Sequence, residues 1–189
     1  MRQVRARDLE VATALLREAG RGHGRSLFVT GAAGLGKTVF VGSLVAAAGP
    51  EWLIVRIEGA EHESRMVWAG LSQLIHRLRH HVGALKPAHQ QIIDTLVDPT
   101  SGEAPDAFAA AVSLQALLAQ AAEAAPILLV IDDHHWLDTD SVRALEFVAR
   151  RLDGLRVMMV ATSRATEVTG DSHLALAPLA DDEAVDLLV

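Results

Sequence analysis

The sequence predicts a three-layer α/β/α domain built around a mainly parallel, five-stranded sheet. Three observations predict it. The strand candidates are continuous apolar runs rather than alternating ones, the pattern of strands buried on both faces. They alternate with segments of helical periodicity, the βαβ arrangement that gives parallel sheets. The polar residues that stand out sit at the carboxyl ends of those runs, where open α/β sheets bind ligands.

Composition supports a folded domain and excludes several classes. Of 189 residues, 50% are apolar and 22% charged, enough for a substantial core without a disulfide or a structural metal. Cysteine is absent, which excludes thiolate zinc sites and cysteine nucleophiles. A net charge of −7 argues against direct nucleic-acid contact, because phosphate neutralisation needs clustered Lys and Arg. The longest uninterrupted apolar run, 124–131, is far short of the ~18 residues of a membrane span. Met1-Arg2-Gln3-Val4-Arg5 carries charge where a signal peptide is apolar. The expectation is a cytoplasmic protein with no membrane partner. Lysine is scarce, with only Lys37 and Lys86 among the 17 basic residues.

Taken in order, 11–19 reads as a short helix ended by Gly20. The run 26–30 is a buried strand closed by Gly31, and 37–48 is a helix stopped at Gly49-Pro50. A second strand spans 52–57. From Ser64, an expected N-cap, Val67, Leu71, Leu74, Ile75, Leu78 and Val82 form one apolar stripe. Pro87 opens a helix carrying Ile92, Ile93 and Leu96, and Pro105 another with Leu114, Leu117, Leu118 and Ala121 inward. The most apolar strand is 127–131, ending in Asp132-Asp133. Thr139 or Asp140 then caps a helix with Val142, Leu145, Ala149 and Leu152 inward. A fourth strand, 155–162, ends in Ser163-Arg164, and 174–176 is a weak fifth. The core is expected over 1–179, with 180–189 starting a helix that stops short at Val189.

Gly31-Ala32-Ala33-Gly34-Leu35-Gly36-Lys37-Thr38 matches G-x-x-x-x-G-K-[ST], with the strand before and helix after that the motif demands. Glycines permit positive φ and let backbone approach a phosphate. Successive N–H groups make an anion nest at the positive end of the helix that follows. Lys37 supplies a mobile charge for the β- and γ-phosphates, and the Thr38 hydroxyl can ligate Mg²⁺. Val39 follows directly. ATP or ADP with Mg²⁺ is the expected ligand.

Asp132 closes an aliphatic strand, the position of an acid that holds Mg²⁺. Asp133 points elsewhere and can serve as general base; the plain alternative is two acids starting a turn. Hydroxyls and the guanidinium of Thr162-Ser163-Arg164 can sense a γ-phosphate, or the arginine is a solvated loop residue. His76 and His80 have the i, i+4 spacing of a zinc pair but no third ligand, so they read as surface histidines. His134 and His135 shape the acidic strand end, and Trp136 packs there or lines the site.

The phosphate loop, the run Ile127-Leu128-Leu129-Val130-Ile131-Asp132-Asp133-His134-His135-Trp136-Leu137-Asp138 and Val160-Ala161-Thr162-Ser163-Arg164 together resemble the STAND class of P-loop ATPases. The closest likeness is to the AAA-type domain of large LuxR-family transcriptional regulators of actinobacteria. Trp68-Ala69-Gly70-Leu71 with Leu74-Ile75, and Leu174, Leu176, Pro178-Leu179 and Asp182-Glu183-Ala184, extend the resemblance over nearly the whole chain. It implies a P-loop NTPase sheet of order 5-1-4-3-2, with Arg164 beside the phosphate strand. It also implies ATP binding and slow hydrolysis as a nucleotide switch. Residues 31–39 and Thr162 then bind nucleotide, Thr38 and Asp132 hold Mg²⁺, Asp133 activates water and Arg164 senses the γ-phosphate. Self-association or contact with regulatory domains of a longer protein follows from the same likeness. Ala6-Arg7-Asp8-Leu9 departs from the family's Gly-Arg-Glu segment near the adenine, and 180–189 would begin a helical lid. The other readings are a small-molecule kinase with the same loop, and an interaction module that keeps ADP.

Overall fold

Side chains along the strands alternate between two apolar clusters, and that alternation builds the layers. Ile127, Leu129 and Ile131 enter one cluster with Val157, Met159 and Ala161; Leu128 and Val130 enter the other with Met158 and Val160. The computed structural model describes residues 6–98, 100, 105–164 and 172–176. Its sheet holds β1 (Arg25–Thr30), β2 (Leu53–Glu58), β3 (Ile127–Asp132), β4 (Val157–Ser163) and β5 (Ser172–Ala175). The order is β2-β3-β4-β1-β5 and every pairing is parallel. Read from the opposite edge, this is the expected 5-1-4-3-2.

Helices α1 (Ala6–Gly20) and α2 (Lys37–Ala48) cover one face. The other face carries α3 (Ala69–Leu78), α4 (Pro87–Val97), α5 (Ala107–Ala124) and α6 (Thr139–Ala149). By length and composition α5 alone, among the described residues, could cross a membrane. Here its Leu114, Leu117, Leu118 and Ala121 are fully buried in the core, and it packs on α4 and α6. Asp106 caps it, accepting from the N–H groups of Phe108 and Ala109.

Three helix starts differ from expectation. Helix α1 begins at Ala6 rather than Val11, with Leu9 packed on the core and Asp8 complementing the dipole of the first turn. Ser64 caps no α-helix. Its hydroxyl donates to the Glu61 carbonyl at 2.7 Å, closing a 3-10 turn over Glu61–Glu63. The long stripe from Val67 to Val82 is divided: α3 covers only its middle, Val67 is 63% exposed, and Arg79–Ala84 tightens into 3-10 geometry. His76 and His80 therefore fall on either side of the end of α3. Helix α6 is capped by Asp138, not by Thr139 or Asp140.

One side chain explains where α3 and α6 start. Asp138 is 3% exposed, and its Oδ1 accepts from the N–H of Ser141 at 2.9 Å and of Trp68 at 3.0 Å. Its Oδ2 accepts from the N–H of Gly70 at 3.0 Å. The Ser141 hydroxyl accepts from the N–H of Leu71 at 3.0 Å. The starts of α3 and α6 thus share one buried carboxylate. Trp68 takes a left-handed conformation (φ 65°) to present its N–H. A Cβ at Gly70 would stand 2.9 Å from Leu137 Cδ2 and 3.2 Å from the Ser141 hydroxyl, so a larger residue would have to displace those side chains.

The helix expected over 180–189, and the matching residues Pro178-Leu179, Asp182, Glu183 and Ala184, lie outside the described residues, as do 1–5.

Asp138→Ala strands three backbone donors, and since a hydrogen bond to a charged group contributes about 1.5–3 kcal/mol, a loss of about 3 kcal/mol is expected. Urea titration reads the loss, and faster amide exchange at Trp68, Gly70 and Ser141 localises it. Unaltered exchange at Trp68 and Gly70 would contradict the shared cap.

Candidate functional site

The phosphate loop leaves β1 and turns into α2. Gly34 and Gly36 adopt φ of 80° and 79°, the left-handed region where a Cβ is costly. Gly36 is the N-cap of α2 and no side chain caps it, so the first amides of that helix remain for an external acceptor. The loop base is tied to its neighbours, with the Gly31 N–H on the Ser163 carbonyl (3.2 Å) and the Leu176 N–H on the Thr30 carbonyl (2.8 Å).

Lys37 folds back over the loop. Its ammonium donates to the carbonyls of Gly31 at 2.7 Å and Ala32 at 3.1 Å. Burial pushes its pKa below the ordinary lysine value; Asp133 opposes that and Arg164 adds to it. A pocket of about 290 Å³ opens here, lined by Ala33, Gly34, Gly36, Lys37, Thr38, Asp133 and Arg164. These seven expected site residues are brought to one wall. The remaining ones are not in the lining: the Gly31 and Ala32 carbonyls hold Lys37, Leu35 lies within the loop, Val39 follows it, and Asp132 and Thr162 lie at the ends of β3 and β4.

Thr162 links the two acids. The Thr162 side chain is buried, and its hydroxyl donates to Asp132 Oδ1 at 3.5 Å while accepting the Asp133 N–H at 3.0 Å. This ties the end of β3 to the end of β4. Asp133 takes a left-handed conformation (φ 47°, ψ 48°), which Asp tolerates better than most residues. Unlike Asp132 it lines the pocket, and it opens the 3-10 turn His134–Trp136.

Two contributors, Arg56 and Gly59, have no motif in the sequence. Arg56 on β2 places Nε 3.7 Å from Asp132 Oδ2, reaching across from the neighbouring strand. Gly59 follows β2, its N–H donating to the Asp132 carbonyl at 2.9 Å. A Cβ at Gly59 would collide with the Asp133 carbonyl oxygen and the Leu137 backbone nitrogen, so only glycine lets the 133–137 turn close on β2. A glycine directly after a strand was the available signal. Asp138 anchors the far end of the same turn.

The two histidines shape this corner. His134 meets Phe28 edge-to-face at 5.7 Å, and its pKa is lowered, first by burial. His135 stacks at a tilt on Trp136 at 5.2 Å. Burial lowers its pKa most; Asp133 opposes the shift, while Arg164 and Lys37 reinforce it.

Comparison with known proteins agrees with this fold. The profile of the AAA ATPase domain matches residues 3–160. The chain belongs to that family. No curated protein matches it by sequence. Among solved structures, Cdc6p from Pyrobaculum aerophilum aligns with TM-score 0.62 at 19% identity, covering 97% of this chain and 48% of that one. PCH-2 from C. elegans aligns at 0.53 and 15% identity, covering 96% and 45%. A structure of Drosophila ORC bound to DNA aligns at 0.51 and 13% identity, covering 95% and 43%. At such identities the likeness shows the fold. The chain spans under half the length of each. The AAA domain is accordingly a P-loop ATPase domain, whose family binds and hydrolyses nucleotide.

The lowered pKa of His135 has a sign. As pH falls below about 6.5, the unfolded chain takes up the proton first, so the stability from this residue is complete above that pH. It is lost as pH drops towards the folded-state pKa. Urea midpoints at pH 7.5 and 5.5 should show a smaller fall for His135→Phe than for the wild type. An equal fall would place the acid sensitivity elsewhere.

Proposed function

We propose that this AAA domain is the nucleotide switch of a LuxR-like transcriptional regulator of the STAND class, binding Mg·ATP and hydrolysing it slowly. The observation that carries the reading is the convergence of Lys37, Thr38, Asp133 and Arg164 on one pocket at the uncapped start of α2. The α2 amides and Lys37 receive the β- and γ-phosphates. The donors expected to hold a cation, the Thr38 hydroxyl and the Asp132 carboxylate, are hard oxygens, a set that suits Mg²⁺. When bound, Mg²⁺ supplies charge neutralisation on the phosphate oxygens.

Asp133 accepts a proton from water as the water oxygen bonds to the γ-phosphorus. The bond from that phosphorus to the bridging oxygen breaks, and ADP leaves with the electron pair. Arg164 faces the negative charge on the transferred group. Thr162 holds both acids in place from behind, so its part in binding is indirect. In the whole protein the switch would act through self-association or contact with further domains, in the cytoplasm, with nucleic acid contacted by other segments.

Two substitutions separate binding from chemistry. Lys37→Ala removes a charged hydrogen-bond donor and should weaken ATP binding about ten- to a hundredfold by calorimetry. Asp133→Asn should keep Mg·ATP affinity and lower phosphate release ~10²-fold or more. Unchanged affinity in a folded Lys37→Ala variant would remove the phosphate-loop reading. Equal turnover in Asp133→Asn would move the base elsewhere, and no release from the wild type would favour a module that keeps its nucleotide.

A further inference from the structure

Among the described residues, His135 is the one whose buried side-chain polar atoms have no hydrogen-bond partner, and this holds for both ring nitrogens. A neutral imidazole carries one donor and one acceptor, and buried polar groups in folded proteins are paired. A packing role alone would suit a phenyl ring as well. The ring is not loose, because Trp136 stacks on it at 5.2 Å with the planes 41° apart. Its Nδ1 stands 4.0 Å from Asp133 Oδ1, about 1 Å beyond a hydrogen bond.

The backbone of Asp133 is pinned at both ends. Its N–H donates to the Thr162 hydroxyl at 3.0 Å, and its carbonyl accepts the Trp136 N–H at 2.8 Å. Its side chain is 36% exposed, and a hydrogen bond to Nδ1 requires the two groups to approach by about 1 Å.

We propose that His135 is a positioning residue for Asp133, donating Nδ1–H to one carboxylate oxygen so that the other is presented to the pocket. This rests on the reading of Asp133 as the base. The chemistry of the pair is consistent: burial keeps the ring neutral, Arg164 and Lys37 act in the same direction, and only Asp133 pulls the other way. A neutral donor orients a carboxylate without cancelling its charge, so the base stays competent. The exposed oxygen shares the pocket wall with Lys37, Thr38 and Arg164.

The test uses the full chain as wild type, His135→Phe, His135→Asn, Asp133→Asn, Asp133→Ala and the double variant His135→Phe/Asp133→Asn. Steady-state ATP hydrolysis gives kcat and KM, calorimetry gives ATP affinity, and ¹⁵N spectra of the ring report its tautomer. His135→Phe should lower kcat about tenfold, with KM and affinity within about twofold. His135→Asn, which sets an N–H near the place of Nδ1, should restore most of that loss. In the Asp133→Asn background His135→Phe should change little more, because residues acting as a unit are non-additive. The ring should carry its proton on Nδ1, with a resonance that shifts in Asp133→Ala.

Wild-type turnover in His135→Phe beside an impaired Asp133→Asn overturns the proposal and leaves the base reading intact. Equal loss in Phe and Asn variants also overturns it, as does an Nε2–H tautomer indifferent to Asp133→Ala. If Asp133→Asn itself keeps full turnover, the base reading fails instead. The ring spectra then decide the pairing alone, as they do if His135→Phe does not fold.

Discussion

A single buried carboxylate organises the helical layer next to the pocket. Asp138 receives three backbone N–H groups from two helices far apart in sequence, and its neighbour Ser141 receives a fourth. Helix starts leave unsatisfied donors, and a buried start without partners is costly. By serving two starts at once, Asp138 fixes where α3 begins, where α6 begins and how the intervening turn leaves β3. The other end of that turn is held by Thr162 and Gly59. Asp133 therefore takes its left-handed conformation between two anchors, and no free loop has to find it. Local backbone strain persists when its surroundings over-determine it, and that is the situation here.

The readable and unreadable parts of the site divide along the range of the interactions. The phosphate loop was legible because its whole logic lies in eight consecutive residues: glycines at positive φ, then Lys37 and Thr38 at a helix start. Asp132 and Asp133 were legible because they follow five aliphatic residues. The cap of α6 was misassigned since Asp138, Thr139 and Asp140 are all good caps. What chose among them was the chance to satisfy Trp68 and Gly70 as well, a long-range demand with no local trace. Ser64 failed for the complementary reason, its hydroxyl being used within its own turn.

Arg56 and Gly59 were silent for a different reason. Each matters through the register of β2 against β3, which sets Glu58 beside Asp132 and so brings the next residue onto the turn. Registers of parallel strands are set by packing and connection geometry, and periodicity does not encode them. The sheet order itself was legible only through resemblance. The apolar runs predict buried strands, whereas nothing in their composition distinguishes a central position from an edge.

That order has a consequence for how the chain assembles. The strands β1 and β2 both precede the segment around residues 99–104, yet they never pair with one another. β2 lies against β3, and β1 lies between β4 and β5. The first half of the polypeptide, on its own, has two apolar strands and no ladder to join. Every interstrand hydrogen bond of β1, the strand that leads into the phosphate loop, waits for residues from Val157 onward. During synthesis the loop's strand would emerge early and remain unpaired until almost the whole core had been made. Parallel sheets with such distant partners fold slowly and expose strand edges meanwhile. Division of the gene between the halves would leave β3 and β4 to pair within the second piece, while β1 and β2 would gain partners only by meeting it.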